Sequence, residues 1–287
     1  MTTLSRPERP IASSAVLPPM ATTAGRTDMT TAGRPESGAS AASASPVDGH
    51  ETRRDDAPSP RPGFLYSFGR FVVAPVARVL YRPRVIGRRN VPKQGAVILA
   101  SNHLSFIDSV VIPVVAPRRI QFLAKSHYFE GTGLVGWIKR TFFEAIGAVG
   151  VKRGAGRDSQ TALEISKSIL DAGSAFALYP EGTRSRDGRI YRGRTGVAWL
   201  ALTTGAPVVP VGLIGTERLQ PVGTRMPVFA RVTVAFGEPI DLSTFGPATS
   251  GKARREATDA VMAAIQKLSG QVAAGTYNEA PSDEPAA

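Results

Sequence analysis

Asn102-His103-Leu104-Ser105-Phe106-Ile107-Asp108 sets a histidine and a carboxylate five positions apart, directly after the apolar run Val97-Ile98-Leu99-Ala100. Imidazole, with an unperturbed pKa of about 6.5, accepts a proton near neutral pH. A carboxylate on its other nitrogen fixes the tautomer and supports the cation that forms. The pair reads as a general base with its orienter, and the competing reading is a surface histidine near the start of a helix at Phe106. Metal chemistry is not expected. The chain has no cysteine and only three histidines, His50, His103 and His127, so thiolate ligands, disulfides and a catalytic thiol are excluded.

Three further blocks carry possible chemistry. Tyr179-Pro180-Glu181-Gly182-Thr183-Arg184-Ser185 follows the apolar run Ala175-Phe176-Ala177-Leu178. A glycine there lets backbone approach a ligand closely, and Arg184 can hold a phosphate through two parallel hydrogen bonds where lysine cannot. Between the two blocks lies Gly147-Ala148-Val149-Gly150-Val151-Lys152-Arg153, and beyond them Pro207-Val208-Val209-Pro210-Val211-Gly212. Lys125 stands at the end of an expected strand as another candidate for an anion. Arg184, Arg186, Arg189, Arg192 and Arg194 make the loop after Ser185 strongly basic.

These blocks, in this order, resemble the PlsC-type 1-acyl-sn-glycerol-3-phosphate acyltransferases, the lysophosphatidate acyltransferase family, over residues from about 82 to 240. The second block departs from the usual pattern, with Val149, Gly150, Val151 and Lys152 where the family commonly has a large apolar residue and an isoleucine before its arginine. The resemblance implies acyl transfer from a thioester donor, acyl-coenzyme A or acyl carrier protein, to the free hydroxyl of lysophosphatidate, with no cofactor and no metal. His103 would take the hydroxyl proton and Asp108 would orient His103. The acceptor-binding role of the third block carries onto Gly182, Thr183 and Arg184, with Glu181 in the same substrate-binding block as an orienting group. Arg153 and Lys125 are further substrate-binding candidates. The same motifs also fit a sister enzyme acting on another lyso-lipid. A non-catalytic lipid-binding protein would leave His103 and Asp108 without a purpose.

Composition sets the surroundings. Residues 1–62 are rich in Ala, Ser, Thr, Pro and Gly, and such a segment cannot bury enough apolar surface to offset its ordering entropy. The segment 270–287 reads the same way and carries Glu279, Asp283 and Glu284. Seven arginines balance seven acids in residues 1–62, so the stretch between these ends holds the whole +12 of the chain and three charges more. So basic a domain should meet anionic partners, membrane headgroups or phosphorylated substrates. Nucleic acid is not expected: Tyr191 is the sole aromatic in the arginine-rich loop, and no recognisable binding motif occurs. A serine hydrolase is disfavoured by the lack of a Gly-x-Ser-x-Gly elbow.

Residues 63–82 combine Phe64, Tyr66, Phe68, Phe71 and Tyr81 with Arg70, Arg78 and Arg82, the composition of an amphipathic segment lying in the headgroup region. No run of eighteen apolar residues and no leader segment is seen, so the expected place is peripheral, on the cytoplasmic face of the cell membrane.

The elements that must position the candidate residues alternate. Strands are expected at 84–86, 96–100, 120–125, 146–151, 175–179, 208–214 and 231–236, and helices at 106–115, 134–143, 159–172, 195–204 and 252–268. Asp158 or Ser159 should cap the third helix and Gly173 should end it. The pattern predicts an α/β fold, a layered mixed sheet flanked by helices in a single domain over 83–269. Functional residues in such folds gather at the strand ends. The valine-proline block around Val208, Val209, Pro210 and Val211 reads as an ordinary buried strand more readily than as the wall of an acyl channel.

Overall fold

The computed structural model describes residues 83–151, 157–219 and 230–279, together with Pro75 and Val228. All belong to one unit, Arg54–Ala287. The expected segment 1–62, nearly all of the amphipathic segment 63–82, and Arg153 lie outside the described residues.

The described chain runs β1 (Arg84–Ile86), β2 (Val97–Ser101), α1 (Asp108–Val115), β3 (Ile120–Lys125), α2 (Gly133–Ala145), β4 (Ala148–Val151), α3 (Arg157–Asp171), β5 (Ala175–Leu178), α4 (Gly196–Thr204), β6 (Val208–Ile214), α5 (Thr216–Leu219), β7 (Thr233–Phe236) and α6 (Gly251–Ser269). Seven strands form one sheet in the order β1-β7-β6-β2-β5-β3-β4. β6 and β7 pair antiparallel and every other neighbouring pair is parallel, so the sheet is mixed as expected.

β2 sits near the middle and all five of its residues are buried. Successive side chains of a strand point to opposite faces. Val97 and Leu99 accordingly pack with Ile112, Val115 and Phe122 on one side, while Ile98 and Ala100 pack with Leu170, Val197, Leu200, Val261 and Ile265 on the other. Both faces are covered, which is why the strands read as apolar runs and not as alternating ones. β6, the valine-proline block, is buried through Leu213 at the centre of this layer.

Two local expectations need correction. Helix α3 begins at Arg157, so Asp158 and Ser159 lie within its first turn instead of preceding it. Its other end is as read: Gly173 takes a left-handed φ of 71°, its N–H bonds Leu170 O at 2.8 Å, and that of Ser174 bonds Ile169 O at 3.2 Å. The second correction is larger. Residues 270–279 were expected to lack fixed structure, yet Ala273 bridges Ile190, Ile190 N donates to Val272 O, Ala274 N donates to Ile190 O, and Arg192 N donates to Thr276 O. Side-chain composition misled here because this segment is held in large part by its backbone, as an added strand-like strip along the basic loop.

Candidate active site

The strand ends bring the first and third blocks together. β2 and β5 are neighbours in parallel register, Ala100 opposite Leu178, so the residues that follow each strand emerge side by side. His103 Nδ1 lies 2.8 Å from Asp108 Oδ2. The same Oδ2 accepts the N–H groups of Leu104 at 2.7 Å and Ser105 at 2.8 Å. Asp108 is fully buried, opens helix α1, and leaves its Oδ1 without a hydrogen-bond partner. A negative charge at a helix N-terminus is favoured by the helix dipole. The five-position spacing thus lets one carboxylate tie the turn and hold the imidazole.

His103 is clamped along its backbone by the third block. Its N–H donates to Glu181 Oε1 at 3.0 Å, and its carbonyl accepts Ser185 N–H at 2.7 Å. Glu181 Oε2 accepts the Tyr191 N–H at 2.9 Å, so both oxygens of this fully buried carboxylate face protein backbone. Burial pushes its pKa up to about 7, against the two backbone donors, which favour the charged form. Tyr179 stacks on the imidazole, ring centroids 3.8 Å apart and planes 8° from parallel, and its hydroxyl lies 3.0 Å from Ser109 Oγ. Asn102, also fully buried, works like a rung of the sheet: Leu213 N–H donates to its Oδ1 at 2.7 Å, and its Nδ2 donates to Leu213 O at 3.0 Å.

His103 opens onto a cavity of about 380 Å³. Gly182 and Arg194 share its polar end, and Leu163, Phe176, Val197 and Leu200 form apolar walls between the sheet and helices α3 and α4. Gly182 has φ of 81°, and a Cβ there would lie 2.9 Å from Arg194 Nε, so only glycine lets the guanidinium pack onto this turn.

Residues 82–214 match the family model described as Acyltransferase. The crystal structure of the 1-acyl-sn-glycerophosphate (LPA) acyltransferase PlsC from Thermotoga maritima superposes with a TM-score of 0.52 at 27% identity, covering 70% of this chain and 82% of that one. Over residues 82–214 this chain is thus similar to the acyltransferase family. The 1-acyl-sn-glycerol-3-phosphate acyltransferase BAT2, chloroplastic, of Brassica napus is 30% identical over 145 residues, 50% of this chain and 40% of that protein. The 1-acyl-sn-glycerol-3-phosphate acyltransferase of Borreliella burgdorferi is 26% identical over 133 residues, 46% and 51% of the two chains. The chain therefore spans less than half the length of the plant relative.

Within this domain the other expected site residues fall as follows. Thr183 and Arg184 are half-buried on the loop after Gly182, and their carbonyls accept Asn278 Nδ2 at 3.5 Å and 3.0 Å. Lys125 ends β3, beside β5, and pairs in register with Val151, the last described residue before Arg153. Of the basic loop, Arg189 is engaged with Asp187 at 2.6 Å, while Arg192 and Arg194 lie over the Tyr277 ring at 5.2 Å and 6.0 Å.

The sequence reading missed Tyr179 as a stacking partner, Asn102 as a strand mimic and the C-terminal strip. Gln271 of that strip accepts Asn102 Nδ2 at 2.7 Å and donates to Gly188 O at 2.8 Å, joining the first block to the loop. An aromatic immediately before Pro-Glu-Gly, at the exit of a strand that neighbours the histidine strand, was the one available signal for Tyr179. The apolar cavity had none, since α3 and α4 look like ordinary core helices in sequence.

Proposed function

We propose that this protein transfers an acyl group from a thioester donor to the free hydroxyl of 1-acyl-sn-glycerol-3-phosphate, giving phosphatidate. The observation that carries the reading is the His103–Asp108 pair at 2.8 Å, set at the mouth of an apolar cavity beside Gly182 and Arg194. With the Nδ1 proton held by Asp108, Nε2 is left to accept the hydroxyl proton. The acceptor oxygen attacks the thioester carbonyl as His103 takes its proton. The tetrahedral intermediate then collapses, the carbon–sulfur bond breaks, and His103 returns the proton to the leaving thiolate. No enzyme nucleophile is needed, because the acceptor hydroxyl is the nucleophile.

The acyl chain lies against Leu163, Phe176 and Leu200, out of water. Arg184, with Gly182 and Thr183, holds the acceptor phosphate, Lys125 adds positive charge at the end of β3, and Arg153 remains a further candidate from the sequence. Glu181 orients the site instead of touching substrate, as its two backbone-bound oxygens favour. The remaining loop arginines meet the donor, either the phosphates of coenzyme A or an acidic carrier protein. The names of the relatives support the acceptor, and the basic domain supports work at an anionic membrane; placing it on the cytoplasmic face is part of the proposal.

Purified protein supplied with oleoyl-coenzyme A, or with acyl carrier protein as donor, should convert lysophosphatidate to phosphatidate. A positioned general base contributes roughly 10²- to 10⁴-fold, so His103→Ala should lose at least a hundredfold in turnover with its thermal unfolding little changed. Retention of more than about a tenth of the wild-type rate would remove His103 from this role.

A further inference from the structure

Helix α2 wears its apolar residues outward. Leu134 is 70% exposed, Val135 66%, Trp137 60% and Ile138 51%, with Phe142 exposed at 37%. Leu134, Ile138 and Phe142 recur at the spacing of one helix face, flanked by Val135 and Trp137. The opposite face is the one that packs. Gly136 approaches the Gly131 carbonyl so closely that a Cβ would lie 2.4 Å from it, and Phe143 stacks on Tyr128 with ring centroids 4.6 Å apart. A surface helix of a soluble domain ordinarily turns its apolar stripe to the core and its charges to water. Here the stripe faces out although the helix is anchored from beneath.

We propose that this outward face of α2 docks onto the surface of an anionic lipid bilayer. Charge complementarity selects the partner. Lys139 and Arg140 lie between the outward ridge and the packed face, and both are exposed. A helix lying in the interface places cations at that level, in the headgroups, while its apolar ridge enters the acyl boundary. The helix carries one acid, Glu144, and the chain as a whole is +12. A protein partner's apolar groove would satisfy the ridge but not so basic a surround.

The topology also gives the docking a use. β3 and β4 are parallel and joined through α2, so α2 runs back from the strands' C-terminal ends, and Leu134 and Val135 lie toward the end of the sheet from which His103 emerges. Beneath the helix, Phe143 meets Phe106 of the His103–Asp108 turn, centroids 6.2 Å apart. Docking would hold the mouth of the site at the lipid surface. The inference rests on the lipid-acceptor reading for its purpose alone, and its test reads binding without turnover.

The chain has two tryptophans, so the full-length Trp199→Phe protein reports from Trp137. On adding vesicles of phosphatidylcholine and phosphatidylglycerol in equal parts, Trp137 emission should move to shorter wavelength and be quenched by brominated lipid. Co-sedimentation of the unsubstituted protein with the same vesicles should fall at least tenfold in affinity in Leu134→Gln/Ile138→Gln, since each removes an apolar side chain from lipid. Vesicles of phosphatidylcholine alone should bind more weakly than the mixture. Unchanged Trp137 emission with vesicles, or undiminished binding of the double variant, would overturn the proposal. Emission already at short wavelength and protected from aqueous quencher before lipid is added would also overturn it, by showing the face covered within the protein or by a second copy.

Discussion

Around His103 every contact is prescribed. Its ring is held at one nitrogen by Asp108 and on one face by Tyr179, and its backbone N–H and C=O are taken by Glu181 and Ser185. On the outer face of α2, near the same end of the sheet, five large apolar side chains stand exposed on a helix anchored through Phe143. The proton transfer proposed for His103 requires donor and acceptor placed within a few tenths of an ångström, which residues fixed by buried polar bonds supply. A fluid partner offers no fixed positions to match, and broad apolar exposure with flanking cations is enough for it. On the two proposed readings the contrast separates two kinds of selection at one end of the sheet, geometry in one place and solvent preference in the other.

Asp108 gives the sharpest test of the prescribed region. In Asp108→Asn one amide oxygen can still accept the Leu104 and Ser105 N–H groups, and the amide nitrogen takes the place of the unpartnered Oδ1. The turn should survive while the charge that supports protonated His103 is lost. Turnover is expected to fall by about 10²-fold or more with little change in unfolding temperature. Asp108→Ala should lose as much activity and, in addition, about 1–3 kcal/mol for each N–H left buried without an acceptor. Equal stability of the two variants, read by thermal unfolding, would mean that the carboxylate does not hold the turn.

Glu181 comes next, because it ties the first block to the basic loop. Glutamine at this position must present an NH₂ to one of two backbone N–H donors, so Glu181→Gln should cost about 1–3 kcal/mol. The comparison depends on pH. The folded carboxyl, at about 7, binds its proton more tightly than the unfolded one near 4.5. Its contribution is therefore full below the unfolded value and declines as pH rises toward 7. The stability advantage of wild type over Glu181→Gln should narrow by roughly 2–3 kcal/mol between pH 5 and pH 8 in denaturant titrations. A constant or widening gap would show that desolvation does not dominate at this carboxyl.

Removing residues 271–287 should act more gently. The strip's hydrogen bonds run to Ile190, Arg192, Gly188 and Asn102, and its Asn278 reaches the carbonyl of Arg184. Its loss should loosen the loop without unfolding the sheet. The expected signature is a raised KM for the acceptor, with hydrogen exchange accelerated across residues 183–194 and unaltered in β2. Exchange unchanged in the loop would mean that the loop holds its own shape.

These differences follow what a sequence can show. The strands were legible because both sheet faces are covered, making Val97-Ile98-Leu99-Ala100 and its neighbours continuous apolar runs. His103 and Asp108 were legible because their contact is local, set by a turn of four residues. Gln271 was not: its partner Asn102 lies 169 positions away, and nothing in either amide marks the pairing. The strip around it binds through backbone, which has no side-chain signature. The outward face of α2 was hidden for another reason. Its apolar spacing is the same whether the stripe meets a core or a lipid, and only the position of Gly136 and Phe143 in the fold decides which side is out.

That last point yields the smallest expected effect and the cleanest contrast. If the outward residues of α2 belong to a partner and not to the fold, Leu134→Gln/Ile138→Gln should leave the protein's stability within about 0.5 kcal/mol of wild type, as for exposed positions generally. Buried apolar residues of the same size behave differently: Leu200→Ala, on the buried face of α4, should cost about 2–5 kcal/mol. Chemical denaturation of the two variants in detergent-free buffer separates the cases. A cost of several kcal/mol at Leu134 and Ile138 would return the stripe to the interior of the protein, since only side chains packed in the folded state can be missed when water alone surrounds it.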